Sequence, residues 1–142
     1  MQISARNDWP AIVDEVDKGP VSAEIRLRLE TGDAAVATIT TGSANRLGLT
    51  SGARVRALVK ASSVVVLAGD GADVGTSARN CLSGHVTEVE HGTVQSVVTL
   101  RTGNGTEVTA SITKASAEKL GLAKGKPAAA LIKASDVLLL TE

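Results

Sequence analysis

The chain has 142 residues, fifteen basic and fifteen acidic, so its formal net charge is zero. That excludes the broad electrostatic footprint of a nucleic-acid or membrane-surface binder, and a single cysteine, Cys81, excludes an intramolecular disulfide. Trp9 is the only aromatic residue and no apolar run is long enough to cross a bilayer, so a core of Val, Ile, Leu and Ala in a cytoplasmic protein is expected.

Read in order, the chain passes through one pattern twice. Ser4-Ala5-Arg6-Asn7 opens it and returns as Ser77-Ala78-Arg79-Asn80, an offset of 73 residues that holds without a gap to the end. A first strand is expected from about Ile12 to Val16, and from His85 to Val89. Next, Val21, Ala23, Ile25, Leu27 and Leu29 alternate with Ser22, Glu24, Arg26 and Arg28. In the second copy Val94, Ser96, Val98 and Leu100 alternate with Gln95, Thr99 and Arg101. Such alternation marks strands with one buried face. Thr31-Gly32-Asp33 and Gly103-Asn104-Gly105 read as hairpin turns into third strands, Ala34 to Thr40 and Thr106 to Thr113.

The period then changes. Ser43 to Leu49 reads as one short helix, with Ser43 as N-cap, Gly48 just past its end and Leu49 folding back; Ser116 to Leu122 repeats it. Two more strands, around Val55 to Lys60 and Val64 to Leu67, are expected to close each unit. Val64-Val65-Val66-Leu67 and Val137-Leu138-Leu139-Leu140 are apolar at every position, which predicts cover on both faces. The fold class is therefore all-β: two tandem OB-like five-stranded barrels, each with one short helix. The division expected is residues 1–69, a linker 70–75, and residues 76–142. Units this small are marginal alone, so association with further copies is expected.

No catalytic pattern stands out. His85, His91 and Cys81 stand where the first copy has Ile12, Lys18 and Asp8, so a duplicated function does not rest on them. They form no metal-ligand spacing, and there is neither a phosphate-binding glycine loop nor a helix-turn-helix. OB barrels that bind nucleic acid stack bases on aromatic side chains, which this chain lacks. The repeated polar residues are another matter: Ser4 with Arg6, Lys60 with Ser62, and Thr40 at the end of the third strand, matched by Ser77, Arg79, Lys133, Ser135 and Thr113. Hydroxyl, guanidinium, ammonium and the backbone N–H groups of Ala61-Ser62 make a set of donors that contains no matched carboxylate. It suits an oxyanion, and two cations balance a dianion. The competing reading is that these motifs are a turn and a strand end that only cement packing.

The Ser-Ala-Arg-Asn start, the Ser-x-x-x-Leu-Gly-Leu helix and the Lys-Ala-Ser-x-Val end resemble the Mop domain of molbindins, and the tandem pair is similar to the di-Mop cytoplasmic molybdate-binding proteins. The resemblance implies an OB-like fold, reversible binding of molybdate with tungstate as a near isostere, intracellular molybdenum storage and homeostasis, and a homotrimer of six Mop domains. It implies no enzyme activity, organic cofactor, nucleic acid or membrane. It also implies two classes of site. One lies between domains, where Ser-Ala-Arg-Asn of one domain faces Lys-Ala-Ser of another: Ser4, Arg6, Thr40, Lys60, Ala61 and Ser62, then Ser77, Arg79, Thr113, Lys133, Ala134 and Ser135. The other lies on the threefold axis and uses backbone N–H groups near Gly19, Val21 and Ser22 and near Gly92, Val94 and Gln95. Two departures bear on this: Asp136 replaces Ser63 beside Lys133-Ala134-Ser135, and Pro127 starts the fourth strand of the second copy. Related regulators and transporter ATPases carry DNA- or nucleotide-binding domains that this sequence does not show, so holding the anion is the expected role. The alternative is a non-catalytic interaction module that forms a trimer with no anion cargo.

Overall fold

In the computed structural model, which describes residues 2–72 and 74–141, each copy contributes four long elements and one short strand. Asp73 of the expected linker lies outside the described residues, as do Met1 and Glu142 at the ends of the two expected units. In the first copy β1 is Asn7–Lys18, β2 Ser22–Leu29, β3 Ala34–Thr40, β4 Arg54–Val59 and β5 Val65–Ala68, with helix α1 at Thr41–Arg46. In the second copy β6 is Asn80–His91, β7 Gln95–Thr102, β8 Glu107–Thr113, β9 Pro127–Ile132 and β10 Leu138–Leu140, with α2 at Lys114–Lys119.

The first strand is longer than its alternation suggested. A bulge between Val13 and Glu15 shifts the register by one residue, and one between Val86 and Glu88 does the same in the second copy. Ala11 and Val13 are buried before the bulge and Val16 turns toward the core after it, so the period-2 pattern breaks where the strand does not. The second strands keep their pattern: Ala23, Ile25, Leu27 and Leu29 are buried, as are Ser96, Val98 and Leu100. Val21 and Val94 do not belong to that face. Both precede their strands and are exposed, in tight turns closed from Gly19 to Ser22 and from Gly92 to Gln95.

The helix N-caps lie three residues before the expected ones. Thr40 is the N-cap of α1: its hydroxyl accepts from the Ser43 N–H at 3.0 Å and donates to Ser43 Oγ at 2.8 Å; Thr113 and Ser116 repeat this in α2. Ser and Thr at both positions made the two starts equivalent in sequence. The ends are as expected. Gly48 takes φ +64°, Gly48 N–H bonds Asn45 C=O and Leu49 N–H bonds Ala44 C=O, which buries Leu49.

The larger correction concerns the fifth strands. They do not close their own units. The sheet orders are β10-β4-β1-β2-β3 and β5-β9-β6-β7-β8. Thus β5 pairs with β9, Val66 opposite Ala130, and β10 pairs with β4, Leu139 opposite Ala57. The two five-stranded barrels remain, but each takes its last strand from the other copy. Local alternation gives a strand its faces and not its partner. The 3-10 turns Ala61–Ser63 and Ala134–Asp136 direct the crossing, and each packs against the third strand of the other copy. The buried Val, Leu, Ile and Ala side chains of both sheets form one continuous core. Cover on both faces of the fifth strands is incomplete within one chain, since Val65 is 61% and Leu138 56% exposed.

A polar clasp joins the two hairpin tips. Asp33 accepts from Thr102 Oγ1 at 2.7 Å, Thr106 Oγ1 at 2.6 Å and Asn104 Nδ2 at 2.8 Å, all from the other copy. Burial works to raise the Asp33 carboxyl, but the hydrogen bonds from Thr106, Thr102 and Asn104 together outweigh it and hold the group below its ordinary 3.8. A lowered folded-state value contributes stability that is present above the ordinary value and lost as pH falls through the folded one. The chain should therefore lose melting temperature below about pH 4. Asp33→Asn should melt lower than the native chain at pH 7 and approach it at pH 3; parallel melting curves across that range would contradict the clasp.

Candidate functional site between the copies

The fourth residue of the opening motif fixes where the first three stand. Asn7 is only 2% exposed and Asn80 only 4%. The Asn7 side-chain amide donates to Thr109 C=O at 2.8 Å and accepts from Thr109 N–H at 2.7 Å, adding a further contact to Val59 C=O at 3.2 Å. Asn80 does the same with Val36 at 2.8 and 2.7 Å and with Ile132 at 3.2 Å. Each asparagine thus imitates one rung of a β-ladder on the third strand of the other copy, leaving its buried polar atoms satisfied. Sequence reading singled out the Ser and Arg of this motif and missed the Asn. The signal was its recurrence as a polar residue in both copies.

From this anchor the site residues can be placed. Asn7 lies opposite Val59 in the β1–β4 register, so Arg6 and Lys60 stand one step beyond that rung, at the same end of one sheet. The opening motif and Lys-Ala-Ser of one copy thus start from neighbouring strands of one sheet. What crosses the boundary is the third strand. Trp9 Nε1 donates to Glu107 C=O at 2.9 Å and Asn7 bonds Thr109, so β1 runs backward along β8 toward its end at Thr113. The 3-10 turn holding Ala61 and Ser62 packs on that same strand. The opening motifs therefore lead toward the Thr113 end of β8 and, through the Asn80–Val36 rung, toward the Thr40 end of β3, and the turns after Lys60 and Lys133 pack on those same two strands.

In both copies the Ser, Arg and Lys side chains of these motifs are exposed while Ala61 and Ala134 are buried. The small methyl seats the turn, and the first N–H groups of a turn have no partner inside it. The threonine hydroxyls are not idle donors, since both act as helix caps.

The two copies differ here in charge. Arg79 donates to Glu24 through Nη1 at 3.2 Å and Nη2 at 2.8 Å. The Arg79 hydrogen bond, opposed by burial, leaves the Glu24 carboxyl below its ordinary range, and the same bond raises Arg79. Arg6 has no carboxylate partner among the described residues. A separate pair, Asp8 with Arg56, ties β1 to β4: Arg56 Nε donates at 2.9 Å, and this bond lowers the Asp8 carboxyl.

The expected axial amides are partly consumed. Gly19 N–H bonds Ser22 C=O at 2.8 Å and Gly92 N–H bonds Gln95 C=O at 2.7 Å. These close approaches need glycine, because an added Cβ would lie 3.0 and 2.9 Å from those oxygens. Those two N–H groups are therefore turn-closing donors. His91 Nδ1 lies within hydrogen-bond distance of Ser96 Oγ, at 2.7 Å. Among the described residues no group of three or more His, Cys, Asp or Glu could hold a metal ion, and no helix is long and apolar enough to cross a membrane.

Residues 3–66 and residues 76–139 each match the TOBE domain. The molybdenum-pterin-binding protein MopA of Rhodobacter capsulatus is 45% identical over 140 residues, covering 98% of this chain and 52% of the relative. The molybdenum transport protein ModE of Herbaspirillum seropedicae is 41% identical over 139 residues, covering 98% of this chain and 51% of the relative. The chain thus spans about half the length of these curated relatives. A solved structure of the cytoplasmic molybdate-binding protein ModG, in a form with molybdate bound, superposes with TM-score 0.95 at 42% identity over the whole of both chains.

The asparagine rungs make a direct prediction. Asn80→Ala leaves the half-buried Val36 N–H and C=O without their side-chain partner, and should lower unfolding free energy by about 1–3 kcal/mol. It should also speed amide exchange at Val36 while Thr109, held by Asn7, stays slow. Equal exchange at both would show that the rungs do not act separately.

Proposed function

The chain belongs to the TOBE-domain family, carrying the domain twice in the tandem Mop arrangement, and from that premise we propose that it reversibly binds the molybdate dianion, with tungstate as a near isostere, at composite sites along the seam between its copies. The observation that carries this reading is the placement of two recurrent donor sets. Ser4, Arg6 and Lys60-Ala61-Ser62 gather at one end of a sheet beside the end of β8, and Ser77, Arg79 and Lys133-Ala134-Ser135 gather beside the end of β3. The whole-chain likeness to a molybdate-bound ModG supports the same cargo. The division into residues 1–69, linker 70–75 and residues 76–142 describes the repeat of these sets rather than the sheets.

The chemistry follows from the donor set. Arg and Lys supply charge-assisted hydrogen bonds of roughly 1.5–3 kcal/mol each, and turn N–H groups and serine hydroxyls fix a tetrahedral arrangement. In one chain these groups are exposed, and a second chain laid over them would exclude water and strengthen each contact. The exposed Val65 and Leu138 on the fifth strands, with Val21 and Val94 on the turns beside the candidate axial sites, supply the apolar surface for a homotrimer. The threefold sites near Gly19 to Ser22 and Gly92 to Gln95 then draw on backbone groups other than the two glycine N–H donors. The role is storage and homeostasis of molybdenum in the cytoplasm, by binding alone and with no organic cofactor.

Isothermal titration tests this. Molybdate and tungstate should give saturable heat, sulfate and phosphate much less, and Arg6→Ala and Lys60→Ala should each weaken the same sites by about tenfold or more. Sedimentation should give three chains per particle. A trimer that retains no oxyanion in equilibrium dialysis would instead support the interaction-module reading.

A further inference from the structure

We propose that Glu24 makes the two donor sets unequal, so that the set built on Arg6 fills with anion before the set built on Arg79. The inference rests on the oxyanion reading above and names the residue that grades its sites. Arg79 reaches from the start of β6 to Glu24 on β2, with both terminal nitrogens within 3.2 Å of the carboxylate. Glu24 is opposite Thr38 in the β2–β3 register, two residues before Thr40. The carboxylate is therefore built into the surface on which Arg79, the 3-10 turn after Lys133 and Thr40 converge. Other charges face it too: Arg26 Nε lies 3.6 Å from Glu24 and 3.9 Å from Glu15.

The equivalent place in the other half is neutral. Position 97, which is 24 plus the repeat offset of 73, holds Val97, and it pairs with Ser111 two residues before Thr113. Ser63 likewise becomes Asp136 on the Lys133 side. Arg6 makes no ion pair among the described residues, although Asp8, held by Arg56, and Glu30 and Glu107 line the same cavity, whereas Arg79 in the other set is held directly by Glu24. A dianion entering the second set must displace Glu24 from Arg79 and sit near a like charge. The Arg79–Glu24 pair is solvent-exposed, and such pairs are weak, so Glu24 grades affinity rather than blocking the site.

Molybdate titration of the full chain should resolve, among the sites that Arg6→Ala or Arg79→Ala weakens, two classes. Glu24→Gln should tighten the weaker class by about three- to tenfold and bring the two together. Val97→Glu should install the same brake opposite Arg6 and loosen the tighter class by a similar factor. Arg6→Ala should cost more affinity than Arg79→Ala in the native chain, and that difference should vanish in the Glu24→Gln background. Unchanged melting curves for Glu24→Gln and Val97→Glu establish that folding is intact. Two classes that persist unaltered in Glu24→Gln, or equal losses from Arg6→Ala and Arg79→Ala in the native chain, would overturn this inference while leaving anion binding standing. No molybdate binding by the native chain would overturn both.

Discussion

The reciprocal exchange of the fifth strands is the constraint on which the rest of this structure depends. A barrel of this size built only from Val, Ile, Leu and Ala is marginal, and each half here cannot complete its sheet from its own copy. Exchange converts two weak cores into one and places both connecting turns at the seam. It also decides where chemistry can occur. Lys60-Ala61-Ser62 is the segment that carries the chain across, so its donors necessarily stand beside the other copy's third strand. The same holds for Lys133-Ala134-Ser135. A donor set at a crossing point is sensitive to the relation between the copies, which a set inside one barrel would not be.

The asparagines serve that relation. Each binds both N–H and C=O of one residue on the facing strand, the most a side-chain amide can do in place of a strand residue. Because Asn7 and Asn80 directly follow Arg6 and Arg79, the rung that joins the copies also sets where each arginine leaves the backbone. Packing and site are therefore one feature, and the recurrent opening motif is both a structural joint and a source of donors. Reading it as one or the other, as turn or as ligand, divides what the backbone unites.

The strands, turns, helix ends and the recurrence of the polar motifs were legible because they depend on neighbours in sequence: alternation at Ala23 to Leu29, glycine at positions 48 and 121, identity of Ser-Ala-Arg-Asn at both ends of the offset. The exchange was not. Val64 to Leu67 and Val137 to Leu140 announce strands with two apolar faces, and nothing in that pattern distinguishes β4 from β9 as the partner. The bulges were hidden for a related reason, since Asp14 and Thr87 fall inside the expected first strands and only the pairing with the second strands shows the register shift. That each opening motif leads toward the third-strand end of the other copy was invisible for the same cause.

Placing both copies in one chain has a further physical consequence. In a dimer of identical single copies, a residue near the joint faces its own kind, so an acid would meet an acid. Asp33 instead meets Thr106, its own repeat counterpart, together with Thr102 and Asn104. Glu24 holds Arg79 where the second copy has Val97. Each of these contacts joins unlike side chains across the seam. Covalent linkage thus allows the seam to become complementary rather than merely symmetric, and the same freedom that strengthens the clasp at Asp33 permits the two donor sets to differ in charge.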